Sequence, residues 1–170
     1  MPAHTAGVTL KPEHSAGAET LRLAKQEFTQ FAVVAEPRLR RALLGAVGVD
    51  RMPDAVGEAL AYGWQHWYDV REVTNPVGYL YRVGQSKVRV PKPPRLFRER
   101  SVELPDVEPG LTDALLRLPQ SQRTALWLAY GCQWTRAEVG EALGISASTV
   151  GNHIDRGLQK MRQEMGADRD

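Results

Sequence analysis

Near the C-terminal end, Ser148, Asn152, Arg156 and Gln159 recur at spacings of three and four residues. On a helix such residues share one face, and Val150, Ile154, Leu158 and Met161 fall on the other. The polar set can do one definite chemistry. An arginine side chain forms a two-bond pair with a guanine edge, and an asparagine amide does the same with an adenine edge. The hydroxyls of Ser146 and Thr149 suit phosphate oxygens, and Ser148 lies on the side of the base edges. His153 and Lys160 extend the same surface, and Arg162 stands within reach of the backbone beyond it. Ser146, Ser148, Thr149, Asn152, His153, Arg156, Gln159 and Lys160 are therefore the candidate DNA contacts of this segment.

No rival constellation of catalytic residues is visible. His4, His14, His66 and His153 are far apart and show no HExxH spacing. A single cysteine, Cys132, can form neither a disulfide within the chain nor a cysteine-rich zinc site. There is no Walker loop, GxGxxG or GxSxG, and the carboxylates are scattered over polar helix faces. We expect no enzyme, no cofactor and no metal.

The elements that must position the polar face can be read outward from it. Thr135 and Glu138 have the spacing of a capping box, and the helix they open runs through "VGEALG" to Gly144. A short turn follows, and Ser146 caps the helix that carries the candidate contacts. A capped short helix, a glycine turn and a longer helix form the layout of a helix-turn-helix, whose second helix enters the major groove. An ordinary helical hairpin with a wet outer face has the same spacing. From Arg136 to Glu164 four bases balance four acids. That balance predicts weak independent DNA binding and help from a partner.

Upstream the pattern is all α. Residues 1–18 show no periodicity and are expected to form a mobile tail. Leu21, Phe28, Phe31, Ala32 and Ala35 make a helical stripe, and Pro37 is expected to open a new helix with Leu39, Ala42, Leu43 and Ala46 inward. Val56, Leu60, Gly63, Trp64 and Trp67 form the stripe of one further helix, with both tryptophans expected in the core. Asn75 and Pro76 start another, with Val77, Leu80, Tyr81, Gly84 and Val88 inward. Pro91, Pro93, Pro94, Pro105 and Pro109 forbid a regular element over 91–110. From Arg82 to Arg100 there are seven basic residues against one acid, and from Ser101 to Asp113 only acids. Beyond the linker, Leu111 begins a helix, Pro119 opens the next, and Gly131 is expected in the left-handed position past its end. The expected architecture is thus two small helical domains, 19–90 and 111–170, joined by a proline-rich linker, the second a helix-turn-helix. The 170 residues carry a net charge of +2. No apolar run is long enough for a membrane span, and one cysteine suits a reducing interior, so a cytoplasmic location is expected.

The segment "LRLPQSQRTALWLAYGCQWTRAEVGEALGISASTVGNHIDRGLQKMR" resembles region 4 of the extracytoplasmic-function sigma factors, the small alternative sigma subunits of bacterial RNA polymerase. The resemblance lies in Leu118-Pro119 followed by Gln122-Arg123, in the Glu138 helix, in "LGIS" and "STV", and in Arg156 before the terminal run. Upstream, "DAVGEALAYGWQHW" is similar to the polymerase-clamp helix of region 2, and "NPVGYLYRVGQSKVR" to its promoter-opening helix. The resemblance implies that region 2 binds the polymerase core and opened promoter strands, and that region 4 reads the upstream element. It implies clamp contacts at Asp54 and Glu58, and single-strand contacts at Tyr79, Arg82, Gln85, Lys87 and Arg89. Of the two tyrosines, Tyr79 is the better stacking surface, because Tyr81 shares the inward stripe. RNA polymerase core and promoter DNA are the implied partners, with an anti-sigma factor as a further one that the family allows. The chain departs from the family where glutamine is usual at Gly57, asparagine near Ser86, and a basic residue at Gly151. A stand-alone helix-turn-helix regulator is the alternative reading.

Overall fold

The computed structural model describes residues 13–88 and 110–167. The described residues form helices and no strand, as the apolar periodicity predicts. Residues 1–12, Arg89 and the expected linker up to residue 109 lie outside them.

The first half is built on α1 (Glu13–Val47). It differs from expectation at both ends of its first section. The helix begins at Glu13, inside the expected tail, and it continues through Pro37 instead of restarting there. The proline removes one N–H from the ladder, but Ala35, Leu39, Ala42 and Leu43 lie on one stripe that is fully buried against the neighbouring helices. Packing of that stripe on both sides of Pro37 holds the helix continuous.

Helix α2 (Met52–Gln65) stops at His66, whose φ of −116° and ψ of 29° are not helical. A short turn of helix, α3 (Trp67–Val70), follows. The expected single stripe is therefore split, and the two tryptophans part company. Trp67 is buried among Phe28 and Phe31, at ring-centroid distances of 5.3 and 5.1 Å. Trp64 is 39% exposed and only leans on Phe28, which corrects its expected place in the core. Helix α4 (Pro76–Lys87) has the predicted cap, with the Gly78 N–H donating to Asn75 Oδ1 at 2.8 Å. Its stripe of Val77, Leu80, Tyr81 and Gly84 packs on α1 and α2.

The second half contains α5 (Leu111–Arg117), α6 (Gln120–Leu126), α7 (Arg136–Leu143) and α8 (Ala147–Ala167). Helix α6 runs into one π-helical turn, Trp127–Gly131. Gly131 therefore does not take the left-handed position. The Cys132 N–H closes the wide turn on the Trp127 carbonyl at 3.0 Å, and the left-handed residue is Gln133, with φ of 58°.

The two halves are packed together. Trp134, 4% exposed, lies edge-on to Tyr81 of α4 at 5.8 Å, with the Arg38 guanidinium 5.8 Å over its ring. Trp127 donates its indole N–H to the Arg41 carbonyl at 3.1 Å. Asn75 Nδ2 donates to the Glu138 carbonyl at 3.4 Å, and Arg38 pairs with the Glu138 carboxylate.

Candidate nucleic-acid interface

The helix-turn-helix forms as its sequence dictates. Thr135 Oγ1 accepts the Glu138 N–H at 3.2 Å, and the Glu138 carboxylate accepts the Thr135 N–H at 2.8 Å, completing the capping box. Gly144 ends α7 with φ of 69°, a conformation costly for any residue with a Cβ. The turn then folds tightly enough that a Cβ on Gly140 would stand 2.7 Å from the Ile145 carbonyl oxygen. Val139, Ala142, Val150 and Ile154 form the buried seam between α7 and α8.

Burying Val150 and Ile154 fixes the rotation of α8. Ser148, Asn152, Arg156, Gln159 and Lys160 are exposed, with Thr149 and His153 half-buried along one edge. At the start of the helix Ser146 Oγ accepts the Thr149 N–H at 3.1 Å. The same hydroxyl shares hydrogen bonds with Ser148 Oγ at 2.9 Å and Thr149 Oγ1 at 2.8 Å. These three hydroxyls form a compact cluster of donors at the end of α8 that leads a recognition helix into the groove.

The first half divides the residues that the sequence grouped together. Tyr79 is half-buried, and its hydroxyl meets that of Tyr62 at 3.1 Å. The Arg82 guanidinium lies 5.7 Å over the Tyr79 ring, and His66 packs on Tyr62 at 4.2 Å. The hydrogen bond between its hydroxyl and that of Tyr62, together with burial, holds the Tyr79 phenol above its usual pKa. Tyr62, His66, Tyr79 and Arg82 thus make one aromatic and cationic surface, of the type that stacks unpaired bases. Tyr62 and His66 were not among the residues singled out. Their spacing of four, at the end of α2 and its cap, was the available signal, but nothing in the sequence tied it to Tyr79. Gln85 is turned away from this surface and donates to Tyr81 Oη at 2.9 Å. Tyr81 is fully buried. Lys87 stands apart, in a groove lined also by Pro53, Asp54, Gly57, Glu58 and Val88. Asp54 and Glu58 are exposed there on α2, so Lys87 neighbours the expected polymerase contacts and not the aromatic surface. Among the described residues no group of histidine, cysteine or carboxylate side chains is placed to hold a metal ion.

Residues 110–161 match the family described as Sigma-70, region 4. The match contains the helix-turn-helix and α8 as far as Met161. Two solved structures share the fold of most of the chain. One is the sigma factor RpoE, in complex with the anti-sigma factor NepR from Bartonella quintana. It aligns with a TM-score of 0.64 at 15% identity, over 84% of this chain and 99% of that one. The other is CnrH, in complex with the cytosolic domain of CnrY, with a TM-score of 0.63 at 19% identity, over 89% of this chain and 95% of that one. No curated protein is similar enough in sequence to be matched to the chain. Residues 110–161 are thus similar to sigma-70 region 4, in a chain that shares the all-helical fold of the sigma factor RpoE and of CnrH.

Proposed function

We propose that the chain is an extracytoplasmic-function-type sigma factor that directs bacterial RNA polymerase core to specific promoters. The observation that carries this reading is the coincidence of the region 4 match with a recognition helix whose polar face is free. In this reading α8 reads the upstream promoter element in the major groove, with Asn152 and Arg156 on base edges and the Ser146 cluster on phosphate. The Tyr62, His66, Tyr79 and Arg82 surface holds unpaired bases of the opened strand, and Asp54 and Glu58 face the polymerase clamp. The balanced charge of α7 and α8 suits a subunit that gains its DNA affinity together with the core enzyme. In this reading the protein acts by binding polymerase and DNA, where the polymerase works, in the cytoplasm. No described helix is long and apolar enough to cross a membrane. The neighbour RpoE was solved with the anti-sigma factor NepR, and CnrH with the cytosolic domain of CnrY; in this reading an anti-sigma factor is the corresponding partner for this chain.

The test is run-off transcription with purified core polymerase on genomic fragments. Initiation is expected with the wild-type chain, lost with Asn152→Ala plus Arg156→Ala, and kept with Glu164→Ala. Glu164 pairs with Arg117 at 2.6 Å, away from the reading face. Equal activity of the two variants would refute the assignment of that face.

A further inference from the structure

Gly151 is buried, although it lies beside Asn152 on the helix that carries the exposed polar stripe. The helical repeat puts it at the edge of that stripe, between Ser148 and Ile154, on the side toward α7. What covers it is Arg136, the first residue of α7. A Cβ on Gly151 would stand 3.3 Å from Arg136 Nη1 and 3.7 Å from its Cζ, with no other side chain within 4 Å. The guanidinium therefore comes up against the bare backbone of α8, Nη1 nearest. Arg136 is exposed and makes no ion pair or hydrogen bond with another described residue. The nearest acid along this edge, Asp155, is one turn further on and does not pair with it.

An arginine held against the recognition helix, open to solvent and without a carboxylate, is a cation still available to an anion. The first helix of a helix-turn-helix crosses the DNA backbone while the second enters the groove. In that general geometry a charge carried by the start of α7 and held against α8 stands on the side of the module where the backbone runs. We infer that Arg136 supplies the positive charge of position 151, contacting a backbone phosphate of duplex promoter DNA, and that glycine at 151 is what lets it lie there. The contact rests on the reading of α8 as a DNA-reading helix. It adds affinity without sequence preference, because phosphate contacts fix register and base contacts specify.

The experiment uses the full chain with core polymerase, and as probe a promoter duplex recovered from the run-off assay. Binding is measured as log K against log salt. Arg136→Ala is expected to weaken binding about 5- to 20-fold and to lower the salt slope by about one, the mark of one lost phosphate contact. Arg136→Lys keeps the slope. Arg136→Ala with Gly151→Arg, which carries the charge on α8 itself, recovers slope and affinity. Wild-type slope in Arg136→Ala overturns the inference, as does a double variant no better than Arg136→Ala. Equal loss of slope in Arg136→Lys marks a structural role and also overturns it. The Asn152→Ala plus Arg156→Ala variant separates the two readings. If it loses binding while Arg136→Ala does not, α8 still reads DNA and only the arginine contact falls. If it too binds as wild type, the reading of α8 fails with it.

Discussion

Arg38 of α1 and Glu138 of α7 meet at 2.7 Å, one hundred residues apart in the chain, and the carboxylate that binds Arg38 is also the one that closes the capping box of the helix-turn-helix. One side chain thus serves two purposes: it caps the helix that supports the reading module, and it ties that module to the first half of the protein. Burial alone would raise the pKa of Glu138. The Thr135 N–H, the Arg38 guanidinium and the Thr135 hydroxyl outweigh burial and hold it below the usual carboxylate value.

The two purposes can be separated. Glutamine can still complete a capping box, so Glu138→Gln is expected to lose only the exposed ion pair, at most about 1 kcal/mol. Glu138→Ala loses the cap as well, for about 1 kcal/mol more. Because the folded pKa is lowered, this stabilisation is full above the ordinary carboxylate range, near about 4.3. It fades as pH falls through the lower folded value. Thermal unfolding midpoints at several pH values are expected to show wild type and Glu138→Gln converging in acid.

Gly45 is where the first half admits Trp127. A Cβ at Gly45 would stand 2.4 Å from the Trp127 ring, so any larger residue must displace the indole and break its bond to the Arg41 carbonyl. Leucine is a far better helix former than glycine, so Gly45→Leu leaves α1 intact or firmer by up to about 1 kcal/mol. The expected result is a wedge that separates the halves without unfolding either. Small-angle scattering of the variant should give a larger radius of gyration than wild type, with helicity unchanged by circular dichroism.

Cys132 reports the same event. It is buried at the contact between the halves, and burial pushes its thiol up to about 11, against a smaller opposite pull from Arg41 and Arg38. A protonated, covered thiol is a poor nucleophile. Labelling by a disulfide reagent at pH 8 is expected to be slow in wild type and at least several-fold faster in Gly45→Leu. Equal rates would show that the wedge does not open the contact.

The turn of the reading module has its own test. Gly140→Ala places a methyl 2.7 Å from the Ile145 carbonyl oxygen, a backbone atom that cannot swing aside. Overpacking of this kind costs about 1–3 kcal/mol. Chemical denaturation is expected to show that loss, accompanied by weaker promoter binding. Gly57→Ala is the contrast, since nothing lies within 4 Å of its Cβ position, and it should gain stability by about 0.5–1 kcal/mol.

Much of this molecule was legible in its residues because the signals were local. The capping box at Thr135 and Glu138, the glycine turn at Gly144 and the caps at Asn75 and Ser146 each depend on atoms within a few positions, and each formed as the spacing implied. The orientation of α8 was equally readable, since two inward residues, Val150 and Ile154, fix the rotation of a whole helix. The errors arose where distant packing overrode a local rule. Pro37 signals a helix start, yet the stripe on both sides of it is buried together. Trp64 and Trp67 share a stripe on a straight helix, but the break at His66 turns them apart.

By itself, then, the sequence determined an all-helical chain with a helix-turn-helix at its C-terminal end and a polar face on the last helix, because periodicity and caps are properties of neighbouring residues. The tertiary structure alone decided that Tyr62 and His66 join Tyr79, that Lys87 sits with Asp54 and Glu58, that Arg136 covers Gly151, and that Trp134 is buried against Tyr81. Each of those pairings joins elements that meet only when helices pack, and no spacing along one helix encodes it.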